Sequence, residues 1–118
     1  MTAPIAKTLK ANAELLAAFG MRIYLSEAPL DTQTPYLVFQ GLGSVPENTI
    51  DCGAIDENDS YQFVIWHTSP KDGESLRRKA RVLLEQAGFY YNGKHPDSID
   101  AETKLHGRGW DMSYWSDI

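Results

Sequence analysis

The chain has 118 residues and a mass of 13.2 kDa, which is one domain's worth of sequence. Apolar residues make up 42% and charged residues 23%, and thirteen aromatic residues must be buried, so default disorder is excluded. The longest fully apolar run, Leu15 to Phe19, is far short of the roughly 18 residues of a membrane span, and Lys7 and Lys10 interrupt the stretch where a signal peptide would lie. Sixteen acids against eleven bases give a net charge of −5, and the window Ser44 to Asp59 holds five of those acids with no Lys or Arg. The rest of the chain is balanced at eleven against eleven. A pI near 5.0 speaks against a general nucleic-acid binder, which needs clustered bases for phosphate, and against a membrane-surface protein.

The first predicted element is one helix from about Pro4 to Phe19. Ile5, Leu9, Ala13, Leu16 and Phe19 fall on one side, Pro4 suits the first turn, and Gly20 is a stop. Asn12 is a misfit near the apolar stripe and needs a hydrogen-bond partner or a place at its edge. Met21 to Leu25 alternates as a half-buried strand, and Tyr36 to Leu42 reads as a central strand, with Gly41 and Gly43 marking a bulge or its end. Ser44 to Asp59, with Pro46, Asn48, Gly53 and five acids, reads as a long loop or loose hairpin arm. Ser60 to His67 is the strongest strand. Ser69, Pro70 and Asp72 then open a helix that runs to about Ala87 and stops at Gly88, with Leu76, Ala80, Leu83, Leu84 and Ala87 on one face. Phe89 to Tyr91 is a short strand, Asn92-Gly93 a turn, and His95 to Ala101 a polar loop. Glu102 to Trp115 forms one or two final strands, with a bulge at Gly107 and Gly109.

The order α-β-β-β-α-β(β) implies a single α+β domain. Its sheet is mostly antiparallel, with four to five strands, and two helices pack on one face. Alternation places Trp66 and Gln62 opposite Phe63 and Ile65, so large residues stand on both sheet faces and a second surface is covered, as by a neighbouring subunit.

No sequence motif marks catalysis. There is no nucleophile elbow, no phosphate loop and no dinucleotide fingerprint. His67, His95, His106 and Cys52 include no close-spaced pair of the kind zinc requires. Cys52 has acids and no base beside it, which disfavours a thiolate, and a single cysteine cannot form an internal disulfide. The acidic window does not match a calcium loop, and Asn58-Asp59-Ser60 is a glycosylation pattern without a secretion signal. Arg77, Arg78, Lys79 and Arg81 look like a basic patch. The spacing instead allows the pairs Glu74–Arg78 and Arg81–Glu85 on an outer helix face, with Arg77 and Lys79 flanking the apolar stripe.

The succession of a short helix, MRIYLSEAP, TPYLVFQGLGSVPENTID, SYQFVIWHTSPKDGESLRRKARVLLE and GRGWDMSYW resembles the tail terminator proteins of long-tailed bacteriophages, also called tail completion or tail-to-head joining proteins. The pieces that carry the resemblance are Pro35 to Phe39, the strand Gln62 to Trp66 with a helix directly after it, and Tyr114-Trp115. The resemblance implies a homo-oligomeric ring, a hexamer, on the head-proximal end of the tail tube. That ring would stop tube polymerisation, meet the tail tube protein and the head-tail connector, pass DNA through its lumen, and need no cofactor or metal. It would be assembled in the host bacterial cytoplasm and end in the tail-neck region of the virion. On this reading Val45, Glu47, Ile50, Asp51, Ile55, Asp56 and Glu57 of the arm form a subunit or partner interface, with the apolar members as anchors and the acids setting orientation. Arg77, Arg78, Lys79 and Arg81 are candidates for a lumen or partner face. Two alternatives are another phage neck component, such as a head-closure or minor capsid protein, and a small cytoplasmic ligand-binding or enzymatic domain.

Overall fold

A computed structural model describes residues 4–29, 32–49 and 53–117, with the side chains of 44–49, 53–58, 116 and 117 left aside. The elements in chain order are α1 (Ile5–Lys10), α2 (Ala13–Phe19), β1 (Ile23–Leu25), β2 (Tyr36–Thr49), β3 (Gly53–His67), α3 (Pro70–Gln86), β4 (Tyr90–Lys94), β5 (Ser98–Ile99) and β6 (His106–Asp117). Strand order in the sheet is β1-β2-β3-β6-β4, with β5 added on β6. Every pairing is antiparallel except β1 with β2, which run parallel. The α+β class and the mostly antiparallel sheet agree with the sequence. Among the described residues the counts rise to six strands and three helices.

The N-terminal helix is two helices. Asn12 takes an extended conformation (φ −91°, ψ 125°), and its side-chain oxygen accepts from the Glu14 and Leu15 amides at 3.0 and 3.1 Å. It is therefore an N-cap, worth about 1 kcal/mol, where a continuous helix would have left it a misfit in the stripe. The break rotates the second helix, so that Leu15 is fully buried and Leu16 is 43% exposed. Gly20 ends α2 at φ 58°, a backbone state that costs glycine little.

The core lies between the three helices and one face of the sheet. Ile5, Leu9, Leu15 and Phe19 meet Leu37, Phe63, Ile65, Trp110 and Met112 from the strands and Leu76, Ala80 and Leu84 from α3. Trp110 stacks on Phe63 with ring centroids 5.0 Å apart and an interplanar angle of 13°. α3 forms as its sequence dictates: Ser69 caps it through the Asp72 amide, Pro70 occupies the first turn, and Leu76, Ala80 and Leu84 are buried.

Three local expectations change and one is decided. For Ser44 to Asp59, read as a long loop or loose hairpin arm, the described residues take the second form: β2 and β3 pair from Tyr36↔Trp66 out to Thr49↔Gly53, with register shifts at Gly41/Gly43 and Glu47/Asn48, and β6 follows β3 as far as Asp56↔Asp117. Asn92-Gly93 is a bulge within β4, not a turn. Gly107 and Gly109 lie in an unbroken β3–β6 ladder. A Cβ at Gly107 would sit 2.6 Å from Ser98 Oγ and 2.9 Å from the Trp66 ring, and one at Gly109 would sit 2.9 Å from His95 Nδ1. These glycines permit close approach, the second reason a strand carries them. Finally, of the alternating set Met21, Ile23 and Leu25 only Ile23 is buried.

Candidate interaction surface

Beyond the Gly41/Gly43 register shift the hairpin outruns its helical cover. Among the described residues, the outermost ring contacts over the sheet are Phe89 with Tyr114 at 4.7 Å and with Tyr61 at 6.4 Å. Past them, Ser44 to Thr49 on β2 pairs only with β3, a run of about 20 Å at strand rise. The molecule is accordingly elongated, 53 × 30 × 23 Å, with a radius of gyration of 15.3 Å against about 13.5 Å for a compact domain of this length. The projection is a three-stranded arm of β2, β3 and β6.

The backbone register sorts the predicted arm residues. Val45 stands opposite Asn58, which in turn stands opposite Trp115. Glu57 lies between Pro46 and Ser116. Glu47 is opposite Asp56, and Asp56 is opposite Asp117, so three acids occupy one row across three strands. Like charges placed directly opposite are an unfavourable pairing in a sheet. Ile55 falls at the second register shift, passed over between Glu47↔Asp56 and Asn48↔Ala54. Ile50 and Asp51, and Cys52 with them, lie outside the described residues. Sequence reasoning missed Asp117, because nothing local ties the C-terminus to the acidic window.

The arm has open edges. β1 pairs with β2 only at Leu37 to Phe39, and β4 pairs with β6 only from Trp110 to Ser113. Among the described residues the outer side of β2 from Gln40 onward, and of β6 from Tyr114 onward, is therefore unpaired, a state in which strands accept further strands. Leu42 on β2 and Trp115 on β6 are large apolar residues left 49 and 41% exposed on these same strands, and Tyr90 on the neighbouring β4 is 59% exposed.

The four basic residues of α3 do not act as one patch. Arg77 is 4% exposed, pairs with Glu74, and donates to the Gly109 carbonyl at 3.3 Å. It belongs to the packing that ties α3 to β6, together with Arg108, which reaches Asp97 at 3.5 Å. Lys79 pairs with Glu14 of α2. Arg81 pairs with Glu85 at 2.8 Å and lies 3.6 Å over the Tyr91 ring. Arg78, paired with Glu74 at 3.4 Å, keeps a side chain 79% exposed, the most exposed of the four. The pairs Glu74–Arg78 and Arg81–Glu85 are those its spacing predicted.

The histidines also separate. His67 Nδ1 accepts from the Ser69 amide at 2.9 Å at the start of α3. His95 lies on the open sheet face, with Nε2 2.8 Å from Asp111 and Nδ1 3.4 Å from the Gln62 amide nitrogen. Among the described residues no three His, Cys, Asp or Glu side chains converge as a metal set would, and no helix is long and apolar enough to cross a membrane.

Comparison with known proteins decides the family. The pattern of one protein family, Tail completion protein gp17, matches residues 3–106. The chain belongs to this family. It is a phage tail protein that serves in tail completion, has its place in the virion tail, and contacts other proteins of the phage tail and head. The matched stretch ends where β6 begins, so GRGWDMSYW, one of the segments on which the resemblance was drawn, lies beyond it. No curated protein matches the chain.

Proposed function

We propose that the chain completes the tail as a closed ring of identical subunits, a hexamer. The ring caps the head-proximal end of the tube, ends its polymerisation, and offers its other side to the head connector. The work is docking, with no bond made or broken. The observation that carries this reading is the bare three-stranded arm: a sheet continued some 20 Å past its helices, edged by unpaired strands and crossed by a row of acids. Such a structure gains little by itself and gains much by meeting another surface. Its two open edges lie on opposite sides, which suits a head-to-tail contact that closes on itself. Val45, Glu47, Ile50, Asp51, Ile55, Asp56 and Glu57 form the arm's contact set, joined by Asp117. Arg78 is the basic residue of α3 that faces a partner or the lumen.

The test replaces residues 44–59 by a two-residue Asn-Gly turn, leaving the base of the hairpin at Gly43 and Ser60. The expected protein is folded by circular dichroism and fails to restore tail joining to a phage lacking the native chain. Infectious particles from that variant would overturn the reading. Binding of the intact chain to DNA-filled heads and not to isolated tail tubes would instead make it a neck component.

A further inference from the structure

At the base of the sheet, on the face away from the helices and at the opposite end from the arm tip, lies a cleft of about 280 Å³. Its floor is made by two cross-strand pairs, Tyr36 opposite Trp66 and Val38 opposite Val64. Directly opposed residues of an antiparallel ladder share a face, so the phenol and the indole both stand on the cleft side of the sheet. Both rings are held. Tyr24 meets Tyr36 edge-on at 6.4 Å, and the Trp66 ring lies so close over Gly107 that a Cβ there would approach it to 2.9 Å. The rims come from two loops, one carrying Glu27 and the other Asp100.

The charged residues that line the cleft, Glu27 and Asp100, are both acids, and Lys104 stands just outside the lining, next to Thr103. Among the described residues neither Glu27 nor Asp100 is ion-paired with a cation of the chain. The Asp100 carboxylate accepts the Glu102 and Thr103 amides at 2.9 and 3.0 Å. Those bonds, the Thr103 amide first, hold its pKa below the ordinary aspartate value, so it stays anionic through the neutral range. Burial, and then the charge of Asp100, raises the pKa of Tyr36, so it stays a neutral phenol beside that carboxylate. The two non-glycine residues of positive φ among the described residues border the cleft: Ser26 (φ 71°) in its lining and Lys104 (φ 62°) directly after Thr103. Each holds a backbone state that ordinary residues avoid, at a cost of roughly 1–2 kcal/mol.

We propose that this cleft receives an arginine side chain presented by a partner protein. A flat guanidinium lies on an indole or phenol face and donates in the plane to carboxylates, which is the chemistry that Tyr36, Trp66, Glu27 and Asp100 offer together. The proposal goes beyond the ring and does not depend on it, since the cleft is complete within one chain.

The experiment is a titration of the isotope-labelled chain followed by NMR, with acetyl-Gly-Arg-Gly-amide as probe and its citrulline counterpart as the uncharged control. The arginine peptide is expected to shift the Trp66 indole N–H and the Thr103 amide and to bind about tenfold more tightly than the citrulline peptide. Glu27→Gln and Asp100→Asn, both at exposed positions and the second able to keep its turn bonds, are each expected to weaken binding several-fold. Trp66→Leu is expected to abolish it, and the two carboxylate variants decide the matter if that variant does not fold. Equal binding of the two peptides, shifts centred elsewhere, or unchanged affinity in both carboxylate variants would overturn the proposal. Shifts at Trp66 that grow with protein concentration in the absence of peptide would also overturn it, by making the occupant a second copy of the chain. None of these outcomes bears on tail joining, so failure here and failure of the ring reading are distinguishable.

Discussion

The base and the arm of this molecule are built from the same strands and follow opposite rules. In the base, β2, β3 and β6 turn one face to three helices, and the residues there, Leu37, Phe63, Ile65, Trp110 and Met112, are essentially inaccessible to water. In the arm the same three strands run on without a helix, keep their pairing, and line up Glu47, Asp56 and Asp117 in one row. Burial stabilises the first region. On the reading proposed above, the arm is shaped by what it meets. The contrast also explains why the net charge of −5 is so unevenly distributed.

The contrast is broken most severely by emptying the base. Trp110→Ala is expected to cost about 3–5 kcal/mol, read as a lowered midpoint in urea unfolding, because a fully buried indole stacked on Phe63 leaves a large cavity. Trp110→Phe is expected to cost much less, since the Trp110 Nε1–H is buried without an acceptor among the described residues and phenylalanine removes that unmet group. Next comes Asn12→Ala, which deletes the cap between α1 and α2 and is expected to cost about 1 kcal/mol in the same assay. Asp56→Asn, in the middle of the acidic row, sharpens the comparison from the other side. It is expected to leave stability within about 0.5 kcal/mol of the parent or slightly raised, while lowering tail joining in a complementation assay. A loss of more than about 2 kcal/mol there would mean that the arm is part of the core after all.

The smallest effect concerns pH. Asp100 has a folded-state pKa below its ordinary value, set first by the Thr103 amide. Its contribution to stability is therefore present above the unfolded value and is lost as pH falls through the folded one. Carbon-detected NMR of the Asp100 carboxyl should titrate below 3.8, and a midpoint at or above that value would remove the turn bonds from the account.

Local chemistry wrote much of the base into the sequence. Ser69, Pro70 and Asp72 announce α3, Gly20 announces the end of α2, and Asn12 was visible as a misfit whose resolution is a cap. What the sequence did not disclose was non-local. Gly107 and Gly109 looked like a bulge because a glycine in a strand has two meanings. Only the approach of Trp66 and His95 from elsewhere in the chain selects the second. The parallel direction of β1 leaves no mark in three residues. The choice between loop and hairpin arm stayed open because Pro46, Asn48, Gly53 and five acids all lack strand propensity, and the pairing that decides it comes from β3 and β6, up to about sixty residues away. Arg77 could be placed beside the apolar stripe but not on the Gly109 carbonyl, for the same reason.

The central claim is that the arm exists to join copies of the chain into a ring. Light scattering over a range of concentrations, with electron microscopy of the particles, tests it most directly on the intact chain and on the chain with residues 44–59 replaced by a turn. The account predicts rings of six times the 13.2 kDa subunit mass for the intact chain and a folded single subunit for the shortened one. A single subunit at every concentration for the intact chain, or rings that survive loss of the arm, would contradict it.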